Sequence, residues 1–393
     1  MPVIADIAEM DGELRAIRHD LHAYPEIGFE ENRTSARIAE LLVSWGIEVH
    51  QGIGGTGVVG VVEGVRGQGS RIGLRADMDA LPMQEMTDLP FRSTIAGRFH
   101  GCGHDGHTTM LLGAGRHLAA NRDFAGRVVL IFQPAEEGLG GARAMLADGL
   151  FDRFPLDEIY ALHNAPWLKP GELSVFDGPA MAAADLFDIR IRGIGAHAAM
   201  PHLARDPVVA AAALVQALQT IPARNVDPFE AAVISVTALN AGEAYNVLPD
   251  EALLRGTLRA FSQDVMKLMR KRIAAVVEGV AASHDVAIEL DLRPAFDVLV
   301  NHAGPTAALA GAALDIVGEA GVLTDRRPIM ASEDFADMLR VVPGCYAWLG
   351  HGGDVPLHHP GFVLDDDILT VGASLFARIA LNRLVAGAAG RAN

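Results

Sequence analysis

Short apolar runs alternate with amphipathic stretches along the first part of the chain. The runs are continuous and end in Gly, Pro or polar residues, which is typical of strands buried on both faces of a sheet. We predict strands at residues 57–64, 70–78, 127–134 and 158–164, and helices at 31–45, 106–120 and 141–148. The first two strands are predicted to be neighbours. This alternation indicates an α/β domain with helices on both faces of its sheet.

A different pattern begins near residue 180. Strands and helices follow one another in the order βαββαβ, which is typical of the ferredoxin-like fold. The strands are predicted at 184–193, 231–240, 251–261 and 286–292, and the helices at 206–220 and 263–283. We therefore predict an inserted domain at 180–292. The first domain, residues 1–179, then resumes over 293–393 with helices at 303–319, 332–340 and 366–385.

Composition argues against several classes of partner. The 393 residues carry a net charge of −17, so the surface repels phosphate backbones and anionic membranes. The most apolar stretch, residues 208–218, is too short to span a bilayer, and no targeting segment is visible. Two cysteines cannot form a disulfide framework. We expect a cytoplasmic location, with no nucleic-acid and no membrane partner.

The hexapeptide GIGGTG at 52–57 matches the glycine pattern of a dinucleotide-binding loop. Such a loop follows a strand and opens a helix. Here the glycines lead into a predicted strand, VVGVVEG at 58–64. We interpret them as a hairpin or loop that holds no cofactor.

The segment FHGCGHDGHTTM at 99–110 concentrates metal-ligand chemistry in a chain with two cysteines. Thiolate, imidazole and carboxylate groups are ligands of zinc and similar metals. One residue separates Cys102 from His104, so an extended turn directs both side chains to one side. His107 is expected to begin the following helix, and Asp105 either caps that helix or holds a ligand imidazole. The alternative is a glycine-rich turn with incidental histidines.

Two adjacent carboxylates, Glu136 and Glu137, follow the predicted strand at 127–134. In an extended turn adjacent side chains diverge, so one carboxylate can bind metal while the other faces substrate as a general base. The alternative is that both complement the dipole of the helix that follows.

Other polar side chains also lie where predicted strands or loops end. His163 closes one strand, Asp77 and Asp79 end another, and the loop PLHHPGF contains His358 and His359. Taken alone, His163 has an ordinary alternative as a structural histidine. Open α/β sheets bind ligands at the carboxyl ends of their strands. Convergence of these groups on one sheet edge is therefore the economical explanation.

Seven motifs occur in the order in which they occur in the M20 metallopeptidase family: RADMDALP, HGCGHDGHTTMLLGA, FQPAEEG, GAHAAMPH, YNVLPD, SEDF and LHHPGF. The chain resembles the branch that contains aminoacylases, hippurate hydrolases and auxin-conjugate amidohydrolases. The resemblance runs from about Arg18 to Leu369. It implies a zinc-peptidase-like catalytic domain with a ferredoxin-like lid, in agreement with the two domains predicted from the pattern.

The resemblance also implies roles for individual residues. It implies a site for two divalent ions, Zn or Mn with Ni or Co as alternatives, whose ligands are Cys102, His104, Glu137, His163 and His358. Glu136 matches a general base that activates water, and Asp79 matches a carboxylate that orients a ligand or the base. His197 matches a lid histidine that stabilises the oxyanion in its own or a partner's active site. Asn246 and Arg259 match lid positions near the substrate.

The predicted function is metal-dependent hydrolysis of N-acyl amino acids, such as acetyl, benzoyl or indoleacetyl conjugates. The resemblance implies a homodimer or higher oligomer formed through the lid. A dipeptidase or an N-acetyl-diaminopimelate deacetylase is the alternative within the same class. A catalytically silent, metal-stabilised binding protein is a weaker alternative, because a structural site needs no spare base at Glu136. A cysteine hydrolase using Cys102 would stay active after chelation.

Overall fold

The computed structural model describes residues 3–390; residues 1–2 and 391–393, which the predicted catalytic domain includes, lie outside the described residues. The helices are α1 (Ala5–Ala8), α2 (Asp11–Ala23), α3 (Asn32–Ser44), α4 (His104–Ala120), α5 (Gly141–Ala147), α6 (Leu150–Arg153), α7 (Pro207–Arg224), α8 (Gln263–His284), α9 (Ala303–Val317), α10 (Phe335–Leu339) and α11 (Leu369–Gly390). None of the helices among residues 3–390 combines the length and the hydropathy of a membrane-spanning segment.

All of the predicted strands are present, together with others that the sequence pattern did not predict. The strands are β1 (Glu48–Ile53), β2 (Gly57–Glu63), β3 (Arg71–Asp77), β4 (Arg127–Gln133), β5 (Glu158–Ala165), β6 (Leu173–Ser174), β7 (Gly178–Met181), β8 (Ala183–Arg192), β9 (Ala196–His197), β10 (Ala232–Ala241), β11 (Val247–Leu248), β12 (Glu251–Ala260), β13 (Ala287–Phe296), β14 (Leu299–Asn301), β15 (Val322–Leu323) and β16 (Gly344–Gly350). The helix predicted at 332–340 is confined to the shorter α10.

The chain divides into two compact units. Unit 1 comprises Met1–Gly178, Val300–Arg327 and Asp334–Asn393, and unit 2 comprises Pro179–Leu299 and Pro328–Glu333. Residues 328–333 group with unit 2 because Ile329 pairs with Met181 and the N–H of Ala182 donates to the carbonyl of Ala331. The role of unit 2 as a lid or dimerisation domain stays a prediction.

Unit 1 is built on an eight-stranded sheet with the order β1-β2-β4-β3-β5-β16-β6-β15. Strands β4, β3, β5 and β16 run parallel to one another, so their carboxyl ends lie at one edge of the sheet. Side chains from α2, α4, α9 and α11 share one buried apolar core with the strands. The predicted α/β fold class is confirmed, and the long apolar runs are the buried parallel strands.

Two details of the sheet can be compared with the sequence. The glycine hexapeptide joins β1 and β2 as an antiparallel hairpin, as predicted. The expectation that β2 and β3 are neighbours is wrong, because β4 lies between them, antiparallel to β2 and parallel to β3. Strand β4 is buried from its second residue to its last, which suits a central position in the sheet. Consecutive strands pair often but not always.

Unit 2 carries a four-stranded antiparallel sheet with the order β10-β12-β8-β13. Helices α7 and α8 pack on it through a core that includes Phe187, Leu214 and Met269. Helix α7 begins where Asp206 accepts hydrogen bonds from the first free amides of the helix, and Pro207 follows at a position that needs no N–H donor. The chain order βαββαβ is the one predicted.

Candidate metal centre

The carboxyl edge of the parallel strands in unit 1 brings the five predicted ligands together. Cys102 lies in the turn before α4, and His104 is the first residue of that helix. Glu137 follows β4, His163 lies near the end of β5, and His358 lies in the loop after β16. Because these strands are parallel, the segments that leave them meet at one edge of the sheet.

The ligand atoms of these side chains lie within a few ångströms of one another. Cys102 Sγ is 3.4 Å from His163 Nε2, and His358 Nε2 is 3.0 Å from Glu137 Oε1. In each of three overlapping groups, one ligand atom per residue lies within 4.8 Å of the others: Cys102, His104 and His163; Cys102, Glu137 and His358; His104, Glu136 and Glu137. We call these six residues the metal cluster.

The donor set of the metal cluster fits a metal. His104 Nε2 is buried and has no hydrogen-bond partner among the described residues, although buried polar atoms are nearly always paired. This nitrogen lies 4.0 Å from Glu137 Oε1, a distance that leaves room for an ion shared by both groups. A thiol, imidazoles and a carboxylate together suit zinc and other transition metals better than magnesium or calcium.

One buried carboxylate, Asp79, orients two members of the cluster. Its Oδ1 lies 3.2 Å from His104 Nδ1, and its Oδ2 accepts the backbone N–H of Glu137 at 3.1 Å. The proton on His104 is thereby held at Nδ1, and Nε2 is directed into the cluster. His163 is held similarly, because its Nδ1 lies 2.7 Å from the carbonyl oxygen of Asn164. Both imidazoles therefore present Nε2 as the ligand atom.

The charges around His104 favour a cation at this place. Burial lowers the pKa of His104, but Asp77 and Asp79 outweigh burial and raise the pKa to about 10. Burial, followed by the nearby His107, lowers the pKa of His163 well below its ordinary value. The carboxylates around His104 thus favour a positive charge at its Nε2, carried by a proton or by a metal ion that replaces it, whereas the His163 imidazole stays neutral.

The surroundings of Cys102 disfavour the thiolate form, which is the reactive form of a cysteine. Burial raises the pKa of Cys102 well above its ordinary value, and the neighbouring Glu137 and Glu136 raise it further. A nucleophilic cysteine needs a lowered pKa, which positive neighbours provide. A thiolate at this position therefore needs the charge of a metal ion to stabilise it.

Two further histidines of the 99–110 segment lie outside the metal cluster. His107 has partners at both ring nitrogens, because Nδ1 lies 2.6 Å from Asp77 Oδ1 and Nε2 accepts the backbone N–H of Asn164 at 2.9 Å. His100 is buried without a hydrogen-bond partner on either ring nitrogen among the described residues, and burial lowers its pKa to about 4. Of the three histidines in the 99–110 segment, His104 alone belongs to the metal cluster.

The start of α4 differs from the prediction. The helix begins at His104 rather than at His107, so Asp105 lies inside the first turn and does not cap the helix. Asp105 also does not hold a ligand imidazole. Its Oδ2 accepts from Arg18 Nε at 3.0 Å and lies 2.8 Å from His22 Nδ1. The reason is geometric, since successive residues of a helix point about 100° apart and His104 already faces the cluster.

The two neighbouring histidines of the LHHP motif point in different directions. The N–H of His358 donates to the carbonyl of Gly101 at 2.9 Å, which ties this loop to the Cys102 turn. His359 is exposed, and its Nδ1 accepts the N–H of Gly361 at 3.0 Å. The structure brings His358 to the cluster and leaves His359 outside it.

Sequence reasoning missed Asn164, which supports the Cys102 turn. Its Nδ2 donates to the carbonyl of Cys102 at 2.5 Å, and its Oδ1 lies 3.1 Å from His351 Nε2. Gly103 has φ +92°, and a Cβ at this position would lie 2.4 Å from Asn164 Nδ2, so the turn requires glycine. The sequence signal was weak, since an Asn at a strand end has many ordinary uses.

The remaining predicted site residues belong to unit 2. His197 is exposed at the end of β9, and the N–H of Ala198 donates to the carbonyl of Asn246 at 3.0 Å, so Asn246, which directly precedes β11, lies beside the end of β9. Arg259 donates to the carbonyl of Met330 at 2.7 Å, and burial lowers its pKa. Their predicted roles near substrate stay predictions.

Known proteins resemble this chain over nearly its whole length. The model of Peptidase family M20/M25/M40 matches residues 73–382. The chain is 41% identical to hippurate hydrolase of Campylobacter jejuni, covering 98% of this chain and 100% of that protein. It is 38% identical to N-acetyl-L-cysteine deacetylase of Bacillus subtilis, covering 97% and 90%. The solved structure of the Bacillus subtilis YXEP protein, described as a dinuclear metal binding peptidase from the M20 family, matches with a TM-score of 0.83 and 34% identity, covering 96% and 99%.

Proposed function

This chain belongs to peptidase family M20/M25/M40 and is a metal-binding, amide-hydrolysing enzyme, and from this premise we propose that its substrates are N-acyl amino acids. The observation that carries the proposal is the metal cluster, whose thiol, imidazole and carboxylate groups include Glu136 and are buried apart from Glu137 and His358. The acyl group is proposed to be benzoyl, acetyl or indoleacetyl. Relatives named for hippurate and for N-acetyl-L-cysteine support the first two of these groups.

We propose that the cluster holds two divalent ions, with Zn or Mn as the first choice and Ni or Co as alternatives. The proposed ligands are Cys102, His104, Glu137, His163 and His358. A relative described as dinuclear supports the number two. When bound, such ions would polarise the amide carbonyl and make water more acidic.

Glu136 is the proposed general base. A carboxylate oxygen of Glu136 lies within 4.8 Å of ligand atoms of His104 and Glu137, and its side chain is largely buried. Glu136 takes a proton from the attacking water and delivers it to the departing nitrogen. The water oxygen joins the acyl carbon and the C–N bond breaks, which releases a carboxylic acid and a free amino acid. Asp79 keeps two of the ligands oriented during this reaction.

The resemblance supports roles for three residues of unit 2. His197 is proposed to donate a hydrogen bond to the oxyanion, and such a donor is worth about 10²–10³ in rate. Asn246 and Arg259 are proposed to bind the substrate carboxylate, for which an amide and a guanidinium are suitable donors. Each of these roles predicts a specific loss of turnover or of substrate affinity in an alanine variant.

The test measures amine release from a panel of N-acyl amino acids before and after chelation and after reconstitution with Zn²⁺ or Mn²⁺. We expect activity only in the reconstituted protein, and a loss of at least about 100-fold in Glu136→Gln with unchanged metal content. Glu40→Gln makes the same chemical change at an exposed position of α3 and is expected to leave activity unchanged.

Each contrary outcome points to a stated alternative. Release from dipeptides but from no N-acyl amino acid would favour a dipeptidase. Bound metal without any turnover would favour the silent binding protein. Activity that survives chelation and is abolished by alkylation of Cys102 would favour a cysteine hydrolase, against which the raised pKa of this thiol already argues.

We also propose a homodimer formed through unit 2. Strands β10 and β13 are the outer strands of its antiparallel sheet, and an outer strand offers backbone groups for pairing with a second copy. Sedimentation at micromolar concentration is expected to give a species larger than the 41.6 kDa monomer. A monomer alone would contradict this proposal. A cytoplasmic location stays a prediction from the sequence.

A further inference from the structure

The turn that carries Glu136 and Glu137 begins with an unusual backbone. Ala135, the residue before them, is fully buried and has φ +54°, in the left-handed region that residues other than glycine rarely adopt. Its N–H needs a partner within the protein because the position excludes water. Such a conformation persists only where the surrounding structure holds it. Whatever holds Ala135 therefore directs the two glutamates.

Glu31 supplies the partner of this amide. Its Oε1 accepts the N–H of Ala135 at 2.8 Å, and its Oε2 accepts the hydroxyl of Thr56 at 2.6 Å. Glu31 is the N-cap residue of α3, but its side chain makes no capping hydrogen bond; Glu26 instead accepts two of the first amides of that helix at 3.1 and 2.8 Å. Burial raises the pKa of Glu31 to about 7, although Thr56 and backbone donors act in the opposite direction. The Glu31 carboxyl is thus buried, and it forms no hydrogen bond to the amides of α3.

Glu31 ends a short segment, residues 26–31, that contacts two turns next to the metal cluster. The carbonyl of Glu26, the first residue of this segment, accepts the N–H of Ala80 at 2.8 Å. Ala80 directly follows Asp79, the carboxylate that orients two ligands. A Cβ on Gly28 would lie 2.9 Å from Ala135 Cα, so the segment packs directly against the turn that Ala135 begins. One short segment therefore supports two turns of the cluster.

We propose that Glu31 is a positioning residue for the metal cluster, which holds Ala135 in its left-handed conformation and thereby directs Glu136 and Glu137. This inference rests on the proposed metal centre but not on the identity of the substrate. Two acceptor oxygens suit the task, because Thr56 fixes one oxygen while the other receives the amide. Glu31 belongs to none of the groups of side chains that could hold a metal ion, and its effect passes through the backbone of the turn.

The test compares Glu31→Ala with Glu31→Gln in the full-length protein. Gln preserves both contacts, because its oxygen accepts the Ala135 amide and its NH₂ group donates to the Thr56 oxygen. We expect Glu31→Ala to weaken Zn²⁺ affinity by about 10- to 100-fold and Glu31→Gln to stay within about threefold of the wild type. Competition with a chromophoric chelator measures the affinity. The visible spectrum of the Co²⁺-loaded protein is expected to change in Glu31→Ala and not in Glu31→Gln.

Asp185→Asn is the matched control in unit 2. Asp185 is an equally buried carboxylate, held by Arg270, and its loss is expected to lower stability without changing Zn²⁺ affinity or the Co²⁺ spectrum. Wild-type affinity and spectrum in Glu31→Ala would overturn the proposal, as would equal losses in the Ala and Gln variants. If Glu31→Ala does not fold, Glu31→Asp replaces it, since the shorter side chain cannot reach both partners. Wild-type affinity in that variant would likewise overturn the proposal.

The measurements keep this inference separate from the proposed function. Zn²⁺ affinity and the Co²⁺ spectrum are read without substrate, so they test Glu31 whatever amide the enzyme cleaves. A wild type that binds metal but releases no amine from N-acyl amino acids would contradict the substrate proposal alone. A wild type that binds no metal would overturn both.

Discussion

Asp105→Ala tests whether the buried ion network beside the metal cluster holds unit 1 together. Asp105 Oδ2 lies 3.0 Å from Arg18 Nε and 2.8 Å from His22 Nδ1, and the exposed fraction of each side chain is 1% or less. Burial raises the pKa of Asp105, but Arg18 and His22 outweigh burial and hold it well below its usual range. Removal of the carboxylate leaves Arg18 buried with Asp366 alone as its acidic partner. Breaking a buried pair in this way costs about 3–5 kcal/mol.

Asp11→Ala is the matched control, since it removes a carboxylate from another arginine pair on the same helix. Asp11 Oδ2 lies 2.8 Å from Arg15 Nε, but the two side chains are 42% and 33% exposed, so the expected cost is about 1 kcal/mol or less. Urea unfolding in the presence of a chelator excludes any contribution from metal. Tryptophan fluorescence reports on unit 1, because Trp45, Trp167 and Trp348 all belong to it. Equal free energies of unfolding for the two variants would refute the reasoning.

The contribution of the Asp105 carboxylate to the free energy of unfolding depends on pH, and the sign of this dependence is defined. The pKa of Asp105 is lower in the folded protein than the ordinary value of 3.8, so folding favours the ionised form. The stabilisation is fully present above the ordinary value and is lost as the pH falls below it toward the lowered pKa. The contribution of Asp105 to the difference in unfolding free energy between wild type and Asp105→Ala is therefore expected to shrink in acid. Asp105 also raises the pKa of His22 above its ordinary value of 6.5, so a second part of the difference is present below that value and is lost as the pH rises through the raised pKa.

Three further changes test the cluster itself. Cys102→Ser is expected to lose bound metal on dialysis, whereas Cys345→Ser, in the buried strand β16, is expected to keep it, and elemental analysis distinguishes the two. Because the pKa of Cys102 is raised, Zn²⁺ must displace the thiol proton when it binds. The Zn²⁺ affinity measured by chelator competition is therefore expected to rise from pH 6 to pH 8. An affinity that does not change with pH would contradict the role of Cys102 as a ligand. Gly141→Ala would place a Cβ 1.6 Å from the carbonyl oxygen of Pro134, so this variant is expected to lower both the melting temperature and turnover. Gly304→Ala is the control, because no atom lies within 4 Å of its Cβ, and it is expected to leave turnover unchanged.

The edge of the sheet that carries the metal cluster was predictable because its strands are long apolar runs. Strands β4 and β5 are buried along nearly all of their length, and each has a polar residue at or near its carboxyl end, Gln133 and His163. Parallel strands align their carboxyl ends, so this pattern alone brings Glu137 and His163 to the same edge. Cys102 and His104 follow from the ligand chemistry of one short segment. The order of the strands is not encoded in such runs, which is why the position of β4 between β2 and β3 was missed.

The supporting contacts were not predictable, because each joins residues that are far apart in the chain. Asn164 supports the carbonyl of Cys102, and Glu31 supports the amide of Ala135. In the sequence, Glu31 has an ordinary interpretation as an acidic residue at the start of a helix. Asp105 likewise has an ordinary interpretation as a helix cap, and its contact with Arg18 depends on how α2 packs against α4. Side-chain chemistry indicates candidate ligands, but tertiary packing decides which residues hold them.

Residues that precede the part of the chain matched by the family model support the metal cluster. The match to the family model begins at residue 73, yet Arg18 bonds the residue that follows His104, and Glu31 bonds the residue that precedes Glu136. Two of the turns that form the metal cluster are therefore held by buried polar side chains from one N-terminal stretch. A ligand that binds only the folded cluster stabilises every contact on which the cluster depends. Metal binding and the docking of the N-terminal stretch are therefore thermodynamically linked, and a change in one must appear in the other.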